Sequence, residues 1–244
     1  MSDADGNEWK FFRFGLIVTG KAEEAFLPNL FRSLAATGHC SFQVIRRIGQ
    51  RSAITSEKRK ARMVGTGQLI PDKDAREIGF PARRYLTAPA TFVILVDDLE
   101  ADRKSHSQAI FQRYRDALNQ ILGEQRHRAS VHFLVNMLEA YYFADANAIN
   151  AVLGTNLGDY ESDVETIRHP KNELKKRCAS FDEIEHGKEI VAKLHVQHVL
   201  SRRETCASLR TLFGWCSKAI GQTPTDGFDL ARGSYSELTE KQIH

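Results

Sequence analysis

Cysteine is scarce in this sequence and nowhere paired. Cys40, Cys178, Cys206 and Cys216 are the four present, and no two form a C-x-x-C. Neither a disulfide framework nor a zinc ribbon is expected from such spacing. The nine histidines are scattered. His195 and His198 are three apart, with no nearby cysteine or third histidine to complete a zinc site. The glycine-lysine phosphate loop is missing, and Gly65-Thr66-Gly67 lacks the rest of a dinucleotide fingerprint. There is no G-x-S-x-G elbow for an activated serine. Apolar runs fall far short of the ~20 residues a membrane helix needs. Residues 1–10 are polar and acidic, unlike a secretory leader. A cytoplasmic protein in a reducing compartment, with no membrane association, is therefore expected. The formal net charge of +3 is too small to select a partner by itself, so the distribution of charge matters more.

What is present is an alternation of strand and helix. Residues 11–18 (FFRFGLIV) are a short apolar run ending at Thr19-Gly20, followed by a helical pattern with Phe26, Leu30, Phe31 and Leu34 on one face. Further strands are expected at 41–47, at 91–96 (TFVILV) and at 131–135 (VHFLV), with a helix over about 105–122 and another from about Met137. Continuous β-branched runs separated by helices predict an α/β fold with a mainly parallel sheet covered on both faces. Chain organisation follows from this: an α/β domain over 11–152, a basic insertion at 48–90, a helical C-terminal part over 153–220 and a polar tail at 221–244. Between Arg46 and Arg84 there are eleven Lys/Arg against four acids, punctuated by glycine and proline. That composition predicts a loop-rich insertion. Two readings of it stand, a solvated surface loop and a track for phosphates. The C-terminal stripe Cys206, Leu209, Phe213, Cys216 and Ile220 reads as core.

Ligands of open α/β sheets bind beyond the carboxyl ends of the strands, and three such ends carry acids here. They are Glu23 and Glu24 after the first strand, Asp97, Asp98, Glu100 and Asp102 after the third, and Glu139 after the fourth. Crowded carboxylates raise one another's pKa unless a cation lies between them, and hard oxygen donors suit Mg²⁺ or Mn²⁺. Each group also has a structural reading. Glu23 and Glu24 suit the positive end of a helix dipole. The Asp97–Asp102 acids suit loop solvation or capping. Asn136 and Glu139 have capping-box spacing, although Glu139 sits among apolar residues where an unpaired carboxylate is costly.

The combined order of motifs resembles the Toprim fold of topoisomerases, primases and nucleases of the overcoming-lysogenization-defect type. It is more closely similar to the bacterial Toprim-like group known as domain-of-unknown-function family 4276. The resemblance rests on Val18-Thr19-Gly20-Lys21-Ala22-Glu23-Glu24, on Asn136-Met137-Leu138-Glu139-Ala140-Tyr141-Tyr142 and on His169-Pro170-Lys171, with Gly187-Lys188 further on. It spans roughly Phe14 to Ile220.

This resemblance implies a Toprim-like sheet and a Mg²⁺- or Mn²⁺-dependent nuclease or phosphoryl-transfer protein acting on nucleic acid. It also implies a setting in bacterial defence and a separately encoded ATPase partner. Glu23, Glu24, Asp97, Asp98 and Glu100 would hold the metal, Glu139 would be an outer ligand or proton acceptor, and Lys171 or Lys188 would offset phosphate charge. Thr19 stands where Toprim enzymes usually carry glutamate. That departure keeps an alternative open: a catalytically inactive module that binds nucleotide, nucleic acid or a partner protein.

Overall fold

The computed structural model describes residues 11–54, 56, 69–221, 230–231 and 233–238. Four strands form one sheet in the order β2-β1-β3-β4, every pair parallel. They are β1 (Phe12–Val18), β2 (Cys40–Arg47), β3 (Thr91–Leu99) and β4 (Ala129–Val135). The α/β expectation and all four strand positions are met. Strand β3 runs three residues past the expected end, and this extension decides the geometry of the site.

Helices cover both faces, as a parallel sheet requires. Side chains alternate across the sheet with a period of two. Phe14, Leu16 and Val18 of β1, Ile94 and Val96 of β3 and Leu134 of β4 enter one core. That core also takes Phe26 and Leu27 of α1 (Lys21–Leu30), which is followed by the short α2 (Arg32–Ala35). Ile17, Val93, Leu95, Val131 and Phe133 enter the other. There they meet α3 (Phe80–Tyr85) and α4 (Ser107–Leu122) through Ala82, Ile110, Tyr114 and Leu118.

The helical C-terminal part comprises α5 (Ala146–Leu153), α6 (Pro170–Arg177), α7 (Glu185–Lys193), α8 (Val196–Ser201) and α9 (Ala207–Ala219). Its apolar side chains Ile149, Leu174, Ile190, Leu209 and Phe213 share the core of β1 and α1. The expected apolar stripe is thus core: Cys206, Leu209, Phe213, Cys216 and Ile220 are all buried.

The loop-rich insertion is corrected. Residues Asp72–Asp74, a π-helical turn at Ala75–Gly79, and α3 form one helical run between β2 and β3. Ile78, Ala82 and Leu86 bury their side chains on the sheet, so the segment is the crossover that a parallel β2–β3 connection demands. Nor are its basic residues all solvated. Arg51 is buried, and its guanidinium bonds Asp74 at 2.7 Å and Glu77. Lys58, Arg59, Lys60 and Arg62 lie outside the described residues.

Among the described residues no helix is long and apolar enough to cross a membrane.

Candidate functional site

Neighbouring aspartates at the carboxyl end of β3 face opposite sides of the sheet, because both lie inside the strand. Asp97 continues the Val93–Leu95 face and meets α4. Its Oδ2 accepts from the Tyr114 hydroxyl at 2.9 Å and from Arg103 Nη2 at 2.7 Å, and its Oδ1 accepts from Thr19 Oγ1 at 2.8 Å. It is wholly buried, and both its oxygens are taken by protein donors. Arg103 also donates to the carbonyls of Asp98 and Arg51, tying the strand end to the crossover.

Asp98 continues the Ile94–Val96 face and points toward α1. There its carboxyl meets Glu23, the two sharing a side-chain hydrogen bond. Glu23 lies in the first turn of α1, with its own backbone N–H bonded to the carboxylate, and folds back over Gly20. A methyl group on Gly20 would lie 1.8 Å from Glu23 Oε2 and 3.5 Å from Asp98 Oδ2, so only glycine leaves room for this arrangement. Asp98 Oδ1 is buried and has no hydrogen-bond partner.

The third arm comes from β4. Asn136 and Met137 both have positive φ, 58° and 74°. Met137, with ψ 164°, occupies a region that side chains other than glycine rarely enter, and such strain concentrates at functional sites. The turn is held by Asn136 Nδ2 donating to the Glu165 carbonyl at 2.8 Å and by Tyr141, whose hydroxyl accepts from Val135 N–H and donates to Glu165. A 3₁₀ turn over Leu138–Ala144 follows, not the α-helix expected from Met137, and no side chain caps it. The capping-box reading of Asn136 and Glu139 therefore fails, since left-handed backbone at Asn136 and Met137 turns the pair out of register. Glu139 is 1% exposed, and its Oε1 has no hydrogen-bond partner. Lys171, in the first turn of α6, places Nζ 3.6 Å from that oxygen and 2.8 Å from Glu183 Oε2.

Burial and mutual repulsion together govern the protons here. Desolvation raises the pKa of Glu23. It raises that of Asp98 well above the usual carboxylate range, with Glu23, Glu139 and Asp97 adding to the effect. Glu139 is raised by burial from 4.5 to about 7, against the pull of Lys171. Burial works against the charge on Lys171, but Glu139 and Glu183 outweigh it and its pKa rises. The Tyr142 hydroxyl, buried beside these acids and without a partner, is raised as well, by burial first and then by Glu139 and Glu23.

Of the residues singled out in the sequence, the fold thus brings together Glu23, Asp98, Glu139 and Lys171. Glu24 points outward and pairs with Arg47 at 2.7 Å. Glu100 lies half-buried just past β3, without a side-chain hydrogen bond or ion pair among the described residues. Lys188 is exposed and belongs to no ion pair of the cluster. Glu183 completes the charge balance, yet in sequence it is one acid in a polar stretch with nothing to mark it. Arg103 and Tyr114 were equally silent as partners of Asp97. Among the described residues no group of three His, Cys, Asp or Glu side chains is arranged to hold a metal ion. Two-carboxylate attachment remains compatible with Mg²⁺, which usually keeps several waters and binds one or two carboxylates plus phosphate oxygens.

The class defined so far is an α/β protein with a parallel sheet and a buried acidic cluster at its carboxyl edge. Its family model, Domain of unknown function (DUF4276), matches residues 18–215, and the chain belongs to that family. No curated protein matches the sequence. Among solved structures, the chain is similar to the C-terminal region of the Burkholderia pseudomallei OLD protein at 15% identity and TM-score 0.34, covering 78% of this chain and 95% of that one. The C-terminal region of the Xanthomonas campestris pv. campestris OLD protein is similar at 10% identity, with the same TM-score of 0.34 and the same coverage. At such scores neither likeness bears on function.

Proposed function

We propose that the carboxyl edge of the sheet binds a divalent cation, Mg²⁺ or Mn²⁺, and serves phosphoryl transfer on nucleic acid. The observation that carries this reading is the Glu23–Asp98 pair: two buried carboxyls in contact, with Asp98 Oδ1 lacking any partner. Buried polar atoms are nearly always satisfied, and an orphaned carboxylate oxygen beside a second acid suits a hard cation. Glu23 and Asp98 would hold the ion, which when bound would polarise a phosphate and lower the pKa of a bound water. Glu139, raised by burial to about 7 and with no hydrogen bond to Oε1, is suited to take up a proton near neutrality. Lys171, beside Glu139 and Glu183, would offset the added charge of a phosphate. Asp97 has a positioning role, fixing the end of β3 through Arg103, Tyr114 and Thr19.

Thr19 favours a second reading. Its hydroxyl donates to Asp97 and supplies no carboxylate, leaving the cluster one acid short of the usual Toprim pattern. The protein would then bind nucleotide, nucleic acid or a partner protein without chemistry.

Electron paramagnetic resonance of free Mn²⁺ separates these possibilities when combined with cleavage of a labelled oligonucleotide. Saturable uptake is expected in the unmodified protein, weakened at least tenfold in Glu23→Gln and in Asp98→Asn. Equal uptake by all three proteins would sink both the metal site and its ligands. Uptake without cleavage under any condition would favour the second reading. Gly20→Ala offers an independent check. The added Cβ would collide with the far end of a flexible side chain, so the fold should survive while Glu23 is pushed off Asp98. A folded Gly20→Ala protein with reduced Mn²⁺ affinity is the expected result, and unchanged affinity would show that the Glu23–Asp98 contact is irrelevant to the ion.

A further inference from the structure

On the opposite side of the sheet from Asp98, beside the outer strand β2, lies a groove of about 580 Å³. Arg13, Arg46, Arg76 and Arg84 line it together with Phe80 and Tyr85, and no acid is among its lining residues. All four arginines are exposed, and none forms an ion pair among the described residues. Of the acids close by, Glu24 is paired with Arg47, and Glu77 is bonded to Arg51, the bond that is the main reason its pKa is lowered. Phe80 is 41% exposed, and Arg83 stands over its ring at 5.1 Å from the centroid. Tyr85 is anchored: its ring fills the space a side chain at Gly15 would need, and its hydroxyl accepts from Gln43 at 3.3 Å.

We propose that this groove binds single-stranded nucleic acid, its arginines taking phosphates and Phe80 stacking a base. The inference rests on the reading of the acidic edge as a phosphodiester site and names the substrate class. Unpaired guanidiniums along a concave wall with an exposed aromatic ring are the two components of single-strand binding, an electrostatic track and a stacking platform.

Direction supports the same assignment. Arg13 is level with Ser41 on β2, and Arg46 is level with Ile17 on β1. At about 3.3 Å per residue, the backbone positions of Arg13 and Arg46 are therefore offset by roughly 13 Å along the strands, room for ~4 phosphates of a stacked strand. A shallow hollow lined by Glu24, Val44, Ile45, Arg46 and Arg47 shares Ile45 and Arg46 with the groove. It ends at the Arg47–Glu24 pair, one residue from Glu23. A strand lying in the groove is thereby led to the carboxyl edge.

Fluorescence anisotropy with a labelled oligothymidylate tests this, run on the unmodified protein in EDTA and in Mn²⁺. Because no carboxylate lines the groove, binding should persist in EDTA, so loss of the metal reading would leave this result standing. Four phosphate contacts predict a slope of log affinity against log salt near −3, with the Arg76→Ala/Arg84→Ala double variant lowering its magnitude by about 1.4. Both arginines are exposed and in no ion pair among the described residues, so the double variant should fold. Phe80→Ala should weaken oligonucleotide binding roughly tenfold while leaving competition by inorganic tripolyphosphate unchanged. Unaltered affinity and slope in the double variant would overturn the groove as the site. Equal loss of oligonucleotide and tripolyphosphate binding in Phe80→Ala would overturn base stacking and leave a simple polyanion site.

Discussion

Replacing Glu139 by Gln is expected to stabilise the metal-free protein at about pH 8 by ~3 kcal/mol, raising its thermal midpoint by roughly 6–12 °C. The figure comes from the displacement of its carboxyl from 4.5 to about 7 by burial. The sign follows from linkage. In the folded protein Glu139 holds its proton to higher pH than in the unfolded chain. Its penalty is therefore absent below the ordinary carboxylate range, grows as pH rises from about 4.5 to about 7, and is constant above that. Glu23 and Asp98 act in the same direction. Glu77, held down chiefly by Arg51, acts in the other, so the informative quantity is the difference between variant and unmodified protein. Lys171 keeps Glu183 at 2.8 Å when Glu139 is neutral and is not stranded. Thermal unfolding across this pH range should show two curves that merge near pH 4 and separate above it. Curves that stay parallel would mean that Glu139 is solvated and ordinary.

Asp97→Ala should have the opposite consequence, a loss of roughly 3–5 kcal/mol, the usual cost of removing one partner of a buried ion pair. Arg103, 14% exposed at its side chain, would lose its carboxylate. The Tyr114 hydroxyl, which burial holds well above its ordinary pKa, would lose its acceptor. Asp98→Asn, one residue away, should leave stability at neutral pH unchanged or higher, because the amide can still bond to Glu23 and no buried charge is formed. Urea titration of the two variants checks the pair. A stable Asp97→Ala with an unfolded Asp98→Asn would reverse the roles assigned to the two aspartates.

That pair shows where reading the chain residue by residue stops. The run TFVILV marks a buried strand, but nothing in it says that pairing with β4 continues through Asp97, Asp98 and Leu99. Once it does, the two-residue alternation sends the adjacent carboxylates to opposite faces, one to be neutralised by Arg103 and one to meet Glu23. The helical run at 72–85 was hidden for a related reason. Glycine and proline at Gly79 and Pro81 read as loop punctuation, yet a π turn and the first turn of α3 accommodate them. Arg51, read as surface charge, is buried because Asp74 and Glu77, 23 and 26 residues further along the chain, pair with its guanidinium.

By itself, then, the amino-acid order determined the parallel α/β class, the four strands and the acidic character of three strand ends. Hydrophobic periodicity and turn residues are local signals and survive without tertiary context. Only the tertiary structure decided which acids converge. Glu23, Asp98, Glu139 and Lys171 come from three strand ends and a distant helix, and their approach depends on strand register, on the left-handed turn at Asn136 and Met137 and on the bare backbone of Gly20. Packing also decided their charge, because desolvation is a property of the assembled core and of no single residue.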